Sequence, residues 1–198
     1  MEIVGSVAFT EVRQTYLRDH PVERAHQANT NRDGVENLER AQLLFGSWFR
    51  VRLSRVEVLD VVLPWHLSEG GEYELVPRSG LTVGQTVERL RSGWTRIVKA
   101  NPVCTAKIEF LQQSPLTTVY LSTQPVPHGD YADLRIRNGL FHVDGLHRML
   151  AWELGQRLPH EERLDAFIAG HVRDLRVLDA KSRADVETRH VQTGCRQT

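Results

Sequence analysis

The chain has 198 residues, of which 40% are hydrophobic and 25% are charged, a composition typical of one globular domain with a hydrophobic core. Its 25 basic and 25 acidic residues give a net charge of zero, so charge alone gives no reason to expect binding to duplex DNA or to a membrane surface. We find no apolar run of membrane-spanning length and no signal-peptide pattern, and Cys104 and Cys195 lack metal-type or redox spacing. We therefore expect a cytoplasmic protein without a membrane partner.

The chain begins with a pattern that predicts a strand followed by a helix. Apolar residues alternate loosely within residues 1–9, which is typical of a strand. From about Glu11, the spacing of Val12 and Tyr16 predicts a helix with these two side chains turned inward. His20 follows without other residues at metal-ligand spacing, and we interpret it as a structural histidine.

A second helix is predicted after a polar loop. Asp33 and Glu36 have the spacing of a capping box, in which each side chain accepts a hydrogen bond from the other residue's backbone. Apolar residues then recur at helical spacing and predict a helix over residues 34–48. We interpret residues 1–50 as an N-terminal helical extension.

The middle of the chain mixes β-prone and helical patterns. Residues 51–63 are rich in Val and Leu and fit either a central strand or a hairpin. Thr82 and Gln85 form another capping box, which predicts a helix that continues to Ala100, either unbroken or divided in two at Ser92-Gly93. Residues 107–111 predict a short strand.

The next segment predicts a strand and then a β-hairpin. Residues 116–122 have a strong strand pattern. Residues 134–137 and 140–143 flank Asn138-Gly139, a dipeptide typical of a two-residue hairpin turn. In that register Leu134 and Ile136 share one face with apolar partners. Basic residues share the other face: Arg135, Arg137 and His142.

The hairpin leads directly into a predicted helix that begins after Asp144, a good N-cap residue. Its apolar residues fall on one helical face and should pack on the sheet: Leu146, Met149, Leu150 and Leu154. Backbone N–H groups in the first turn have no partner within the helix, and the helix dipole is positive there. Together with the guanidinium of Arg148, such a helix start favours an anion, above all a phosphate.

These residues carry a resemblance. Asp144-Gly145-Leu146-His147-Arg148, followed by Ala151 and Leu154-Gly155, resembles the Asp-Gly-x-His-Arg signature of the ParB/sulfiredoxin superfamily. In that superfamily the motif ends a strand, opens a helix and holds nucleotide phosphates. The resemblance implies an α+β fold in which helices pack on a small mixed sheet.

The resemblance also implies how the rest of the chain is divided. Its layout extends over roughly residues 75–169, and it favours a strand at residues 163–169, where the residue pattern alone also fits a helix. We therefore interpret residues 51–180 as a ParB/sulfiredoxin-like nucleotide-binding domain and residues 181–198, which are polar, as a flexible tail.

The resemblance assigns roles to the motif residues. Gly145, Leu146, His147 and Arg148 would hold the phosphates, and His147 could also move a proton. Asp144 is either a magnesium ligand or only the N-cap. Two further sets are assigned by position: Arg135 and Arg137 as an extension of the phosphate site, and Glu72, with Glu69 and Glu74 as alternatives, as the catalytic base.

Departures from the superfamily pattern narrow the expected function. Sulfiredoxins carry a cysteine immediately before the motif histidine, where this chain has Leu146. Chromosome-partition members carry a DNA-binding module after the motif, and we recognise none here, so we expect no binding to duplex DNA. The small ParB-like kinases of free amino acids such as serine are the most similar group. The fold alone does not determine the activity, so this step is an analogy.

We therefore expect a nucleotide-dependent phosphotransferase that uses Mg²⁺ with ATP or ADP, or CTP as the alternative nucleotide. Its second substrate would be a small hydroxylated metabolite. Two other functions stay open: a non-enzymatic, nucleotide-binding regulatory module, and a ParB-like nuclease. The oligomeric state, including a homodimer, also stays open.

Overall fold

The protein has an α+β fold, as predicted, built on a seven-stranded mixed sheet. The structure, a computed structural model, describes residues 1–21, 31–67, 71–178 and 180. The predicted tail at residues 181–198 lies outside these ranges. Within them, no helix combines the length and the apolar character needed to cross a membrane.

The strands of the described ranges are short, with two to six residues each. They are β1 (Glu2–Val7), β2 (Trp48–Leu53), β3 (Val62–Leu63), β4 (His66–Leu67), β5 (Glu74–Val76), β6 (Leu81–Thr82), β7 (Val119–Ser122), β8 (Phe141–Asp144) and β9 (Leu164–Ala169). The main sheet has the order β1-β2-β9-β7-β8-β3-β6, and β4 pairs with β5 in a separate small sheet. In the main sheet, β9–β7 and β8–β3 are parallel pairs and the other neighbours are antiparallel.

The helices cover both faces of the main sheet. They are α1 (Phe9–Asp19), α2 (Asn31–Phe45), α3 (Arg55–Leu59), α4 (Val83–Ala100), α5 (Pro102–Leu111) and α6 (Leu146–Leu154). A 3-10 turn spans Gly129–Tyr131, and residues 172–178 are also helical. α1 and α2 contribute to the hydrophobic core on one face, whereas α4, α5 and α6 contribute to the core on the other.

Alternation along the central strands divides the core into these two layers. In β7, Val119 and Leu121 pack toward α6, while Tyr120 between them packs toward α1. In β9, Ile168 packs in the first layer and Phe167 in the second. Because successive strand residues point to opposite faces and both faces are covered, these strands are buried along most of their length.

Several local predictions are confirmed. The capping box of Thr82 and Gln85 opens α4, which runs without interruption to Ala100. β7 lies within the predicted residues 116–122, and the pattern at residues 163–169 forms a strand, β9. Leu146 and Leu150 of α6 are buried in the core beside the sheet, as their helical face predicts.

The predicted N-terminal helical extension is wrong as a separate unit. β1 pairs with β2, and β2 pairs with β9, so this part of the chain completes one side of the main sheet. The second helix ends at Phe45, before Gly46 with its φ of 67°, and the buried Trp48 opens β2 instead of ending the helix. Its backbone helix begins at Asn31, so Asp33 lies inside the helix and is not its N-cap.

Two further predictions, for residues 51–63 and for residues 107–111, are wrong because helix-start signals outweigh the β-prone composition. Residues 51–63 form neither one strand nor a hairpin, because Ser54 and Glu57 make a capping box that starts α3 in the middle of the segment. Residues 107–111 are the end of α5 and not a strand. That helix has Pro102 in its first turn, where the missing N–H costs no helical hydrogen bond.

The predicted hairpin at Asn138-Gly139 is also wrong. The chain bends there, with Gly139 at a φ of 124°, but residues 134–137 form no strand. β8 pairs with β7 on one side and with β3 on the other, so both of its edges are occupied by distant parts of the chain. A hairpin partner would need one of those edges.

Removal of a core side chain from α6 should test the packing of that helix on the sheet. Leu150 is fully buried, so Leu150→Ala should lower the free energy of unfolding by about 2–5 kcal/mol in denaturant titrations. The matched control is Leu43→Ala in α2, because Leu43 is 88% exposed and its removal should change the free energy by less than about 0.5 kcal/mol. Equal effects of the two substitutions would contradict the described packing of α6.

Candidate functional site

The turn between β8 and α6 lies where the motif predicts it. β8 ends at Asp144, and α6 begins at Leu146. Gly145 between them is the N-cap, with a φ of 112° and a ψ of 12°, and its carbonyl accepts the first helical hydrogen bond from Met149 N–H at 2.9 Å. The prediction that Asp144 is the N-cap is therefore wrong, and no side chain caps this helix.

Glycine is required at this N-cap for two reasons. The left-handed conformation disfavours any residue that has a Cβ atom. A Cβ atom on Gly145 would also lie 3.0 Å from Cγ1 of Val119 and 3.3 Å from a guanidinium nitrogen of Arg148. The backbone can therefore turn sharply from strand to helix while it stays close to β7.

Asp144 instead accepts a hydrogen bond from Arg148, one turn further along the chain. The distance from the Arg148 guanidinium nitrogen to Asp144 Oδ2 is 2.5 Å. The other terminal nitrogen of Arg148 donates to Thr117 Oγ1 at 2.6 Å and to the carbonyl oxygen of Thr118 at 2.8 Å. Arg148 is only 4% exposed, and these hydrogen bonds to the protein occupy both of its terminal nitrogens.

His20 lies on the other side of the Asp144 carboxylate. Its Nδ1 donates to the carbonyl oxygen of Tyr16 at 2.8 Å, and its Nε2 lies 3.5 Å from Asp144 Oδ2. Because Nδ1 carries a proton there, the contact with the carboxylate is attractive only when Nε2 is protonated too. His20 is thus more than the isolated structural histidine predicted from spacing.

The charges around Asp144 determine its ionisation. Burial acts to raise the pKa of Asp144, but the nearby Arg148 and His20 outweigh it, and the net pKa lies below the usual value. The carboxyl group is therefore ionised at neutral pH. Its side chain keeps 20% of its surface exposed, whereas the side chain of Arg148 keeps 5%.

His147 points away from this ion pair, into a cluster with two residues from distant elements. Its Nε2 lies 3.2 Å from Sγ of Cys104 in α5, and the same sulfur lies 3.2 Å from Nε2 of His66 in β4. The imidazole, thiol and imidazole offer three ligand atoms within 4.8 Å of one another. Among the described residues this is the group whose side chains could hold a transition metal.

A further histidine, His142, lies close enough to Asp144 and His66 for their charges to act on its pKa. The carbonyl oxygen of His142 in β8 accepts a hydrogen bond from Tyr131 Oη at 2.7 Å. Burial lowers the pKa of His142 to about 4, and the charge of Asp144 opposes that shift only in part. Burial and the nearby charge of Lys107 likewise lower the pKa of His66 to about 4. These imidazoles are therefore neutral at pH 7.

The other residues predicted for the site are dispersed. Arg135 and Arg137 are exposed in the loop before β8 and share no strand face with His142, because the predicted hairpin does not form. Leu146 is buried in the core, so only its backbone could meet a ligand. Glu72 is exposed, and its backbone N–H donates to the carbonyl oxygen of Ala100 at the end of α4. Glu69 lies outside the described residues.

Comparison with known proteins places the chain in a family. The model of DUF6309, a family of unknown function, matches residues 1–186. The chain belongs to DUF6309. That match includes the β8–α6 turn and the His66, Cys104 and His147 cluster. No curated protein and no solved structure matches the chain.

Sequence reasoning missed His66 and Cys104 because ligand spacing is a local signal. Cys104 lies 38 residues from His66 and 43 residues from His147 along the chain. The pairing of β4 with β5 and the start of α5 bring them together. The signal that could have drawn attention to the site is the rarity of cysteine, because the chain has only two cysteines and one of them is Cys104.

Replacement of Arg148 should destabilise this DUF6309 protein, contrary to the expectation for an exposed residue in the first helical turn. Arg148→Ala leaves the Asp144 carboxylate without its main partner and should lower the free energy of unfolding by about 3–5 kcal/mol. Arg148→Lys should restore part of this loss, because lysine keeps the charge but not the planar donor group.

The matched control for Arg148→Ala is the same substitution at Arg137, which is exposed and should change the free energy of unfolding by less than about 0.5 kcal/mol. Chemical denaturation of the four proteins measures these effects. If Arg148→Ala were as stable as the wild type, the buried ion pair would not hold the β8–α6 turn.

The neutral imidazoles of His66 and His142 should make the free energy of unfolding depend on pH. In the unfolded chain a histidine titrates near pH 6.5, whereas His66 and His142 in the fold titrate near pH 4. Between these values the unfolded chain binds more protons, so the stability from neutral burial is complete above pH 6.5 and declines as the pH falls toward 4. Each histidine should contribute at most about 3 kcal/mol to this decline.

Denaturation of chelator-treated protein at pH 7.5 and pH 5 measures the change. His142→Gln should reduce the difference between the two pH values, and the control His160→Gln, at an exposed histidine, should leave it nearly unchanged. A free energy of unfolding that is the same at both pH values would show that these imidazoles are not buried in their neutral form.

Proposed function

We propose that the protein is a nucleotide-dependent phosphotransferase that acts on the hydroxyl group of a small metabolite. The β8–α6 turn would bind the nucleotide phosphates. One observation carries this proposal: an ionised, partly exposed carboxylate, Asp144, stands directly beside the N-terminal turn of α6. The resemblance of residues 144–148 to the ParB/sulfiredoxin motif supports the same activity.

The start of α6 supports the binding of a phosphate. The N–H groups of Leu146, His147 and Arg148 precede the first helical hydrogen bond, which Met149 makes. They therefore lack partners within α6 and lie at the positive end of its dipole. The N-cap glycine adds no side chain of its own to this turn, where the side chains of Val119 and Arg148 already lie close to the backbone.

Arg148 takes a different role from the one its sequence position suggests. Its hydrogen bonds to Asp144 and to Thr117 and Thr118, just before β7, hold the turn, so we assign it to positioning and long-range attraction of the phosphates. Direct contacts are assigned to the backbone of Gly145 and Leu146. The guanidinium of Arg148, and His20 when it is protonated, offset the charge of Asp144, so these surroundings favour a free metal cation less than a lone carboxylate would.

A buried hydroxyl group beside Asp144 also supports a polar ligand. Tyr120 pairs with Asp144 across β7 and β8, and its side chain is fully buried. Its hydroxyl has no hydrogen-bond partner among the described residues, although it lies close enough to Arg148 and Asp144 for their charges to act on its pKa. An unsatisfied buried hydroxyl is costly, and a phosphate oxygen or a water molecule would satisfy it.

The residues present fit Mg²⁺ only when it arrives with a nucleotide. Both contacts of Asp144 use Oδ2, so Oδ1 is the atom that could bind the ion. Mg²⁺ commonly uses one or two protein carboxylates together with substrate phosphates. When bound, Mg²⁺ neutralises charge on the transferring phosphoryl group. The base for the acceptor hydroxyl is still a prediction, with the exposed Glu72 as its candidate.

Calorimetric titration of Mg²⁺ complexes of ATP, ADP and CTP tests the phosphate site. The wild type should bind at least one of them, and Mg²⁺ alone should bind much more weakly. Asp144→Asn should cost about 1.5–3 kcal/mol of binding free energy, the range for hydrogen bonds that involve a charged group. The matched control, Asp133→Asn, removes an exposed carboxylate and should bind as the wild type does.

Thermal melts of each variant show whether it is folded at the temperature of titration. Absence of binding by the wild type to all three nucleotides would overturn the proposal. If nucleotide binds but is not turned over with any of a panel of hydroxylated amino acids, the regulatory-module alternative is correct. Nicking of plasmid DNA would instead favour the nuclease alternative.

A further inference from the structure

In the cluster of His66, Cys104 and His147, one thiol cannot donate a hydrogen bond to both of the imidazole nitrogens beside it. The sulfur of Cys104 lies 3.2 Å from Nε2 of each imidazole. A neutral thiol has one proton to donate, so it can satisfy only one of these nitrogens, and the other must donate to sulfur, a weak acceptor. Cys104 and His147 are each only 3% exposed, so water has little access to improve these contacts.

The two sulfur–nitrogen separations in the cluster are close to those between ligands of one metal ion. Zinc lies about 2.3 Å from a cysteine sulfur and about 2.0–2.1 Å from a histidine nitrogen. At a tetrahedral angle, these lengths place sulfur and nitrogen about 3.6 Å apart. The observed 3.2 Å separations would have to open by only a few tenths of an ångström.

The geometry also holds the cluster from three sides. β4 supplies His66, α5 supplies Cys104 and α6 supplies His147, and α6 packs against α5. The rings of His66 and His147 meet edge to face, with centroids 4.9 Å apart. The ligand atoms are therefore brought together by the fold and not by one flexible loop, which reduces the entropy that binding would cost.

The donor set selects the class of ion. Two imidazoles and a thiolate suit zinc, cobalt or copper, whereas magnesium and calcium prefer oxygen ligands. Three protein ligands leave a fourth tetrahedral position for water or substrate, as in catalytic zinc sites. His66 is the partly exposed member of the cluster, so access from solvent would be on its side.

One charge nearby opposes a cation. Lys107 lies one turn beyond Cys104 on α5, and its positive charge acts on both His66 and His147. A neutral thiol would not offset it. A Cys104 thiolate would, because its negative charge would be bonded directly to the ion. Metal binding should therefore depend strongly on the sulfur.

We infer that His66, Cys104 and His147 form a three-ligand site for a zinc-class transition metal, with Cys104 bound as the thiolate. This site is distinct from the phosphate site proposed at Asp144 and does not depend on it. On binding, the S–H bond breaks, a sulfur–metal bond forms, and one proton leaves to solvent for each ion bound. No change of oxidation state is involved.

Cobalt(II) titration of the full chain tests the site, with Cys195→Ser as the parent protein. The chain has two cysteines, so this substitution leaves Cys104 as the only thiol. The parent should bind one cobalt per chain, show a thiolate-to-cobalt charge-transfer band, release one proton and lose the band when zinc is added. Adding Cys104→Ser, which conserves side-chain size, should abolish the band.

Two histidine variants keep the test informative if Cys104→Ser is poorly folded. His66→Ala removes the partly exposed ligand, keeps the thiol and should weaken cobalt binding roughly tenfold or more, which corresponds to about 1.4 kcal/mol. His128→Ala removes a histidine outside the cluster and should bind as the parent does. Circular dichroism confirms the fold of each protein.

Three results would each overturn the inference. They are the absence of a charge-transfer band in the parent, a band that persists in folded Cys104→Ser, and cobalt binding by His66→Ala that is as tight as in the parent. Nucleotide titrations of the Cys104→Ser protein address the phosphate site separately, because Asp144 and Gly145 are unchanged in it.

Discussion

The candidate site depends on the hydrogen bonds of one buried group, the guanidinium of Arg148. It joins Asp144 at the end of β8 to Thr117 and Thr118 beside β7, while Arg148 itself belongs to the first turn of α6. A strand, its neighbour and the following helix are thus fixed to one another by one side chain. Because the charge is buried, its carboxylate partner must stay ionised, and the pKa of Asp144 is lowered accordingly.

The direction of Arg148 also explains how neighbouring residues of one helical turn contact two different groups of side chains. Consecutive residues of a helix point about 100° apart, so once Arg148 is directed to Asp144, His147 must point elsewhere. It meets Cys104 and His66 on the side of α5. The Asp144 carboxylate therefore lies on one side of this turn, and the nitrogen and sulfur atoms of the cluster lie on the other. The two groups of donor atoms differ in chemistry: oxygen at the first, and imidazole nitrogen with sulfur at the second.

The sequence predicted those parts of the structure that depend on neighbouring residues. The strand end at Asp144, the apolar face of α6 and the capping box at Thr82 all follow from residues within one or two helical turns, and all are confirmed. The Asn138-Gly139 hairpin failed because distant strands occupy both edges of β8. The cluster around Cys104 was missed for the same reason, since its members meet only through tertiary packing.

The burial of Arg148 was also not predicted from the sequence. An arginine in the first turn of a helix is usually solvated. Ala151 and Trp152 lie at i+3 and i+4, but nothing in the local pattern shows that Thr117 and Thr118, just before β7, supply two acceptors for the guanidinium. Membership of DUF6309 does not resolve its role, because that family is of unknown function. The role of the motif therefore has to be measured on the protein itself.

The most direct measurement is a crystal structure grown with zinc and a non-hydrolysable Mg²⁺–ATP analogue, with diffraction recorded on both sides of the zinc absorption edge. We expect phosphate density against the backbone of Gly145 and Leu146 beside Asp144. We also expect an anomalous zinc peak bonded to His66, Cys104 and His147. Nucleotide density elsewhere on the chain, with an unbound β8–α6 turn, would contradict the central claim that this turn is the functional centre.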